Sequence, residues 1–202
     1  NSAALNNLAG GVINDTTTNA NPLVGNGSPA SFVNTGFFNK NAGSVTTQGY
    51  NFANFTNAAG GVFNVNTGTF QLNTAGTDAG TYNIGAGNTL SVTGGVRTFN
   101  GATLTGTGVL NITGSGTLDL PLNTTFAVGS PTLVLNTGTL TGTGNVTVDS
   151  PLTLGAGTIS GAGAFNTSAT STTTLTGDPT FSGRTWNQSG TLNIANTNQV
   201  VL

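Results

Sequence analysis

Short stretches in which apolar and small polar residues alternate run along the whole chain. Many have the form T-[apolar]-x-[apolar], as in TFQL at 69–72, TLSV at 89–92, TLDL at 117–120, TLVL at 132–135 and TLNI at 191–194. A period of two is typical of strands that bury one face. Clusters of Gly, Asn and Pro between these stretches predict turns. The pattern therefore predicts many short strands and no regular helix.

Two further motifs recur and indicate a repeat architecture. LNNLAGGVIN at 5–14 returns as FTNAAGGVFN at 55–64, with FVNTGFFN at 32–39 between them. A second motif reads ATLTGTG at 102–108, GTLTGTG at 138–144, GTISGAG at 157–163 and PTFSGRT at 179–185. These copies indicate a period of roughly 18–27 residues, which is the range of solenoid proteins.

A period of about 20 residues accommodates three short strands and three turns, which is one coil of a parallel β-helix. A propeller blade needs about 40–50 residues, and a barrel of hairpins does not require the same strand to recur. We therefore predict an all-β fold, a right-handed parallel β-helix (β-solenoid) with about nine or ten rungs, the hand following from the rule for parallel crossovers. Residues 1–202 are expected to form a single domain.

Stacked coils would place like residues in rows along the solenoid. Asn7, Asn34 and Asn57 occupy the same place in their motif, and stacked Asn side chains hydrogen-bond from coil to coil. The apolar positions expected to face inward are Phe32, Phe55, Val62, Phe63, Phe70, Leu72, Tyr82, Ile84, Leu104, Leu118, Leu120, Leu133, Leu135, Leu140, Leu154, Ile159, Phe181, Leu192 and Ile194.

The amino-acid composition limits the reactions and ligands that the chain can support. Gly, Thr and Asn make up half of the chain, and charged residues only 4%, against about 25% in ordinary domains. Cys, His, Met and Glu are absent, which excludes disulfides, thiolate or imidazole metal sites, and a His base or Glu acid. The net charge of −2 argues against nucleic acid as a partner. No apolar run approaches the ~20 residues of a membrane span.

The carboxylates are few and dispersed along the chain. Glycoside hydrolysis needs two carboxylates about 5–10 Å apart, and Asp119 and Asp149 are the candidates for such a pair. Asp119 lies between Leu118 and Leu120, so a solvated position on a strand is the favoured interpretation. We predict no enzyme, no catalytic residue, no cofactor and no bound metal. The five acids are Asp15, Asp78, Asp119, Asp149 and Asp178.

Pairs of hydroxyl residues flank an inward apolar residue in the second motif. In stacked coils they would form two outward columns about 6.6 Å apart, an arrangement that ice-binding solenoids use. Ice binding is therefore an alternative function. Trp186, beside Arg184, is a candidate for stacking on sugar, although a plug in the core or at a solenoid end is favoured. The hydroxyl pairs are Thr103/Thr105, Thr139/Thr141, Thr158/Ser160 and Thr180/Ser182.

The repeats read FVNTGFFN at 32–39, FTNAAGGVFNV at 55–65 and TGTFQL at 67–72, with Lys40 directly after FFN. They resemble the Gly/Thr/Asn-rich β-helices of bacterial surface proteins of the filamentous-haemagglutinin and autotransporter-adhesin type, whose repeats look like F-x-N-x-G-x-[FIV]-N followed by G-T-L-x-[LIV]. The resemblance implies export to the cell surface or extracellular matrix. It also implies a non-enzymatic scaffolding or adhesive role, as an adhesin stalk or an extracellular filament subunit, with host or surface glycans as candidate ligands.

Neither end of the sequence carries the charge, Pro or covering helix that usually protects a sheet edge. The chain opens within a repeat at NSAALNNLAGGVIN and stops at TNQVVL, an apolar run with no charge, and the nearest charged residues are Asp15 and Arg184. We expect both ends to be covered by more of the same solenoid, from a longer polypeptide or from a second copy stacked end to end.

Overall fold

The computed structural model describes residues 3–25, 30–41, 47–50, 54–195 and 197–202. In these residues all strand ladders are parallel, and each ladder joins a strand to its equivalent in a neighbouring coil. The described part contains no helix, and hence none suited to crossing a membrane. The protein is an all-β solenoid of about eight turns, which confirms the predicted fold class.

The strands are three or four residues long and are numbered in chain order. In the first half they are β1 (Ala4–Asn7), β2 (Val12–Asp15), β3 (Ser31–Asn34), β4 (Phe37–Lys40), β5 (Thr47–Gly49), β6 (Asn54–Asn57), β7 (Val62–Val65), β8 (Thr69–Leu72), β9 (Gly76–Asp78), β10 (Thr81–Ile84), β11 (Thr89–Val92), β12 (Val96–Phe99) and β13 (Thr103–Thr105). In the second half they are β14 (Val109–Ile112), β15 (Thr117–Asp119), β16 (Thr124–Phe126), β17 (Thr132–Leu135), β18 (Thr139–Thr141), β19 (Val146–Val148), β20 (Leu152–Leu154), β21 (Thr158–Ser160), β22 (Phe165–Thr167), β23 (Thr172–Leu175), β24 (Thr180–Ser182), β25 (Trp186–Gln188) and β26 (Thr191–Asn193).

Equivalent strands stack into three columns along the solenoid. The first column consists of the sheet β1-β3-β6 followed by the sheet β9-β12-β15-β18-β21-β24. The second consists of β2-β4-β7-β10-β13 followed by β16-β19-β22-β25. The third is one sheet of eight strands, β5-β8-β11-β14-β17-β20-β23-β26. Among the strands of the described residues, the backbone ladder is thus interrupted between β6 and β9 and between β13 and β16.

The turn count of nine or ten expected from the sequence is too high because the early coils are long. Stacked residues Asn7 and Asn34 are 27 positions apart, and Asn14 and Asn39 are 25 apart. Further along, Asn64 and Asn83 are only 19 apart. A uniform coil of about 20 residues therefore underestimates the length that the first coils consume.

The core is one continuous cluster of inward residues, and its composition changes along the stack. In the first half it consists largely of rings, with Phe38 stacked on Phe63 at 4.7 Å between centroids and Tyr50 against Phe70 at 4.7 Å. In the second half it is filled mainly by Leu, Ile and Val, such as Leu140. Like side chains therefore pack on like ones from coil to coil.

Most of the predicted inward residues are buried, with a few exceptions. Val62 faces outward, because it pairs with outward-facing Phe37 and Thr81 while the adjacent Phe63 takes the inward position. Ile194 follows β26 in the last coil and is 55% exposed. Leu104 and Leu192 are only half-buried.

The predicted Asn ladder is present and buried. The Asn7 side-chain amide donates to Asn34 Oδ1 at 2.8 Å, and that of Asn34 donates to Asn57 Oδ1 at 2.9 Å. Asn57 Nδ2 then donates to the Thr81 carbonyl at 2.9 Å. These bonds satisfy polar groups at a corner of the coil where the strand ladder does not reach.

A second, outward Asn ladder was not anticipated from the sequence. It runs along the second column, where each amide donates to the Asn one coil before it. The bonds are Asn39 to Asn14 at 2.8 Å, Asn64 to Asn39 at 2.7 Å and Asn83 to Asn64 at 3.0 Å. These residues occupy equivalent positions in β2, β4, β7 and β10.

Glycine at one corner of the later coils is required by close stacking. Gly142 has a φ of 122°, and a Cβ there would collide with the carbonyl of Leu120 in the coil before. Both observations favour the residue that lacks a side chain. This corner joins β18 of the first column to β19 of the second, and the coils can stack closely where the chain turns between them.

Substitutions on β18 test which face is inward. Leu140 is fully buried, whereas the neighbouring Thr139 is partly exposed on the opposite face. We expect Leu140→Asp to destabilise the protein by several kcal/mol, on the order of 3–5, because it buries an unpaired charge. The matched control Thr139→Asp should change stability by less than about 1 kcal/mol. Urea denaturation followed by circular dichroism measures both, and equal effects would contradict the assigned faces.

Candidate functional site

The structure brings three of the four predicted hydroxyl pairs together. Thr139, Thr158 and Thr180 are in register in the first column, on β18, β21 and β24. Ser160 and Ser182 pair in the neighbouring row, into which Thr141 of β18 also falls. Thr117 on β15, which the sequence motif does not include, extends the first row by one coil.

The fourth hydroxyl pair lies on another face. Thr103 and Thr105 belong to β13 in the second column, in register with Thr81 and Asn83. The same TLTG motif therefore occurs on two faces of the solenoid, and its recurrence does not reveal the column. The row next to the first-column threonines also contains Asp119, so it is not a uniform hydroxyl array.

The longest outward threonine row was missed in the sequence. It lies on the third column, the unbroken eight-stranded sheet, and threonine occupies six of its eight positions. Val109 and Pro151 occupy the other two. The neighbouring outward row is mixed, with residues such as Gln71, Asn111 and Val134. The six threonines are Thr47, Thr69, Thr89, Thr132, Thr172 and Thr191.

Trp186 closes the second column at its last strand, β25. Its ring stacks on Phe181 at 4.8 Å between centroids and 7° between planes, and it meets the edge of Phe165. The indole N–H donates to Thr167 Oγ1 at 3.1 Å. One ring face and the polar N–H are thus engaged inside the fold, which favours a packing role near the end of the stack over stacking on a sugar.

The two candidate catalytic acids are not brought together on one strand column. Asp119 is on β15 in the first column and accepts a bond from Thr98 Oγ1 at 3.0 Å. Asp149 directly follows β19 in the second column. Among the described residues no group of three or more Asp, Glu, His or Cys is placed to hold a metal ion.

A buried ion pair forms at the first interruption of the ladder, between β6 and β9. Arg97 Nε and Nη2 both donate to Asp78 Oδ2, and both side chains are fully buried. Arg97 Nη1 donates to the Phe55 carbonyl at 3.0 Å, and the Asn57 N–H donates to Asp78 Oδ1 at 2.8 Å. The pair therefore satisfies backbone groups of β6 that a continuous ladder would have bonded.

The local sequence makes room for this pair. Gly76 stands in register with Arg97 one coil before it, and a Cβ at Gly76 would collide with Arg97 Nη1. Burial raises the pKa of Asp78, although the Arg97 guanidinium and the Asn57 N–H act in the opposite direction. Burial alone would lower the pKa of Arg97, but Tyr82 and Asp78 outweigh it and raise that pKa. Arg97 therefore remains charged.

All three cations of the chain are buried. Lys40 and Arg97 have no exposed surface, and Arg184 has 6%. Lys40 Nζ donates to the Thr67 carbonyl at 2.6 Å, and Arg184 Nη2 donates to the Gly142 carbonyl at 2.7 Å. Burial lowers the pKa of both side chains. The cations therefore bond backbone carbonyls inside the fold and offer little positive surface to a polyanionic partner.

No family model matches the chain, and no curated protein or solved structure shows significant similarity to it. The β-solenoid with threonine-rich strands identifies it as a repeat protein.

The buried pair is tested by a double-mutant cycle. We expect Arg97→Leu and Asp78→Leu each to cost about 3–5 kcal/mol, because each leaves one charge buried without its partner. The double variant should cost less than the two single losses together, since neither charge is then isolated. It should not regain wild-type stability, because the Phe55 carbonyl and the Asn57 N–H lose their partners. Strictly additive losses in urea denaturation would contradict this role.

Proposed function

We propose that the protein is a rigid, non-enzymatic structural module of an exported bacterial surface or extracellular protein. The observation that carries the proposal is the continuous stack of about eight turns around one uninterrupted core. With neighbouring strands about 4.8 Å apart, such a stack is about 40 Å long. Each coil is fixed to the next by backbone ladders and a shared core, so the module acts as a stiff spacer.

The surface supports a scaffolding role more than a catalytic one. The outward rows are mostly Thr, Asn and Ser, the cations are buried, and the candidate acids stand on different columns. The repeat resembles those of filamentous-haemagglutinin and autotransporter-type adhesins, and export and surface location are inferred from that resemblance.

The two ends of the stack support association with more solenoid. β1 is paired only with β3, and its Leu5 is 42% exposed, while nearby Leu8 is 68% exposed. At the other end β26 is paired only with β23, and Ile194 is 55% exposed. Open ladder edges beside exposed apolar side chains are suited to further coils, from the same polypeptide or from a second copy.

Electron microscopy and light scattering of the purified protein test this proposal. We expect rods longer than a single stack at high concentration, because open parallel edges pair end to end. Val200→Lys/Val201→Lys, which places charge at the last coil, should keep the protein monomeric. The matched control Thr139→Lys/Thr158→Lys, on the side of the first column, should assemble like the wild type. A monomeric wild type, or equal loss in the control, would contradict end-to-end assembly.

The threonine row of the third column favours ice binding as a second candidate function. Six threonines spaced by whole coils form a regular outward hydroxyl row on a single eight-stranded sheet. Strand stacking fixes their separation at multiples of about 4.8 Å, so the row is regular along the axis.

Thermal hysteresis distinguishes the second candidate from the first. An ice-binding protein should show hysteresis that Thr89→Lys, in the middle of the third-column row, abolishes. Thr158→Lys, on the first column, is the matched control and should retain it. Absence of hysteresis in the wild type eliminates this candidate and leaves the structural module unaffected.

A further inference from the structure

The second interruption of the ladder leaves an open groove. β13 pairs with β10 and β16 pairs with β19, but no ladder joins β13 to β16. The neighbouring columns continue at this level, with β12 on β15 and β14 on β17. β13 and β16 stand further apart than paired strands, and a groove of about 300 Å³ lies between them.

The strands on both sides of the groove, β13 and β16, have backbone N–H and C=O groups that point into the groove. The Thr103 N–H donates to the Gly80 carbonyl at 3.1 Å, towards β10. Because successive residues of a strand direct their backbone groups to opposite sides, the N–H and C=O of Leu104 point into the groove. The Thr124 N–H donates to the Asn145 carbonyl at 2.9 Å, towards β19, so the backbone of Thr125 faces the groove from the other wall.

The two interruptions differ in how these groups are satisfied. At the first, the buried Arg97 and Asp78 bond the Phe55 carbonyl and the Asn57 N–H. At the second, the lining residues are all uncharged, and no hydrogen bond found among the described residues links β13 to β16. The first interruption is thus closed from within, and the second is open to an outside partner.

We propose that this groove binds an extended, uncharged peptide strand of another protein, which adds against β13 and β16. An extended peptide offers an N–H and a C=O on both of its edges at the repeat of a strand, which matches Leu104 on one wall and Thr125 on the other. Phe99, half-buried Leu104 and 51% exposed Leu122 line the groove. A charged side chain of the peptide that faced into the groove would lose its hydration without gaining a partner. We therefore expect the peptide to carry apolar residues at alternate positions.

Amide hydrogen exchange is the first test. In the free protein the Leu104 and Thr125 amides should exchange much faster than those of Thr103 and Thr124. The probe is a capped peptide AGTYNIGA, which copies residues 79–86 and includes the β10 strand that already pairs with the other edge of β13. Saturation with it should slow exchange at Leu104 and Thr125 by at least about tenfold, without changing the third column.

Substitutions provide matched controls, with thermal melting to verify that each variant is folded. Leu122→Asp should abolish peptide binding measured by fluorescence anisotropy, while Val128→Asp, at a 73% exposed position outside the groove lining, should bind as the wild type does. Thr125→Pro removes the groove-facing N–H and should weaken binding, and Thr125→Val retains that N–H and should not.

Several results would overturn the proposal. Protection of the Leu104 and Thr125 amides in the free protein equal to that of their neighbours would show that the groove is closed. Unchanged exchange in the presence of the peptide would exclude a strand as ligand. Protection by a neutral oligosaccharide such as cellohexaose, but not by the peptide, would identify a glycan groove instead.

Discussion

The parallel ladder from coil to coil is the interaction on which the rest of the structure depends. It holds each strand against its equivalent one turn on, so each side chain meets the residue at the same position in the next coil. Apolar side chains then stack on apolar ones, and Asn on Asn, as in Asn7 and Asn34. This stacking accounts for the low fraction of charged residues, because a charged residue repeated in every coil would lie about 4.8 Å from a residue of the same charge, and the two would repel.

Where the ladder fails, the structure shows what a solenoid must supply instead. The interruption between β6 and β9 is bridged by Arg97 and Asp78, whose burial is offset by bonds to each other and to backbone groups. The interruption between β13 and β16 has no such pair and remains a groove. The two interruptions of the ladder thus have different consequences, which depend on whether a charged pair is close enough to bond the unpaired backbone groups.

Periodicity predicted the fold class, the inward rows and the buried Asn ladder, because these follow from strand alternation and stacking alone. It could not assign TLTG motifs to columns, since Thr103 and Thr139 have the same local sequence but stand on different faces. It also placed Val62 inward beside Phe63, although adjacent residues of a strand face opposite ways. Periodicity could not predict the two interruptions of the ladder, because they depend on the path of the backbone through the corners between strands. The sequence did not indicate that Arg97 is part of a buried ion pair, because its partner Asp78 is 19 residues away along the chain and lies beside it only in the folded structure.

The change in core composition along the stack has a consequence for folding. A repeat protein with identical coils could pair a coil with the wrong neighbour and bury the same residues, which is a known route to misassembly. Here the coils differ in what they bury, with aromatic rings such as Phe38 and Phe63 in the first half and mainly aliphatic side chains such as Leu140 in the second. A shift by several coils would place large rings where the neighbouring coils are packed for aliphatic side chains. The different side-chain volumes of the coils thus specify the order in which the coils stack and select against mispaired forms.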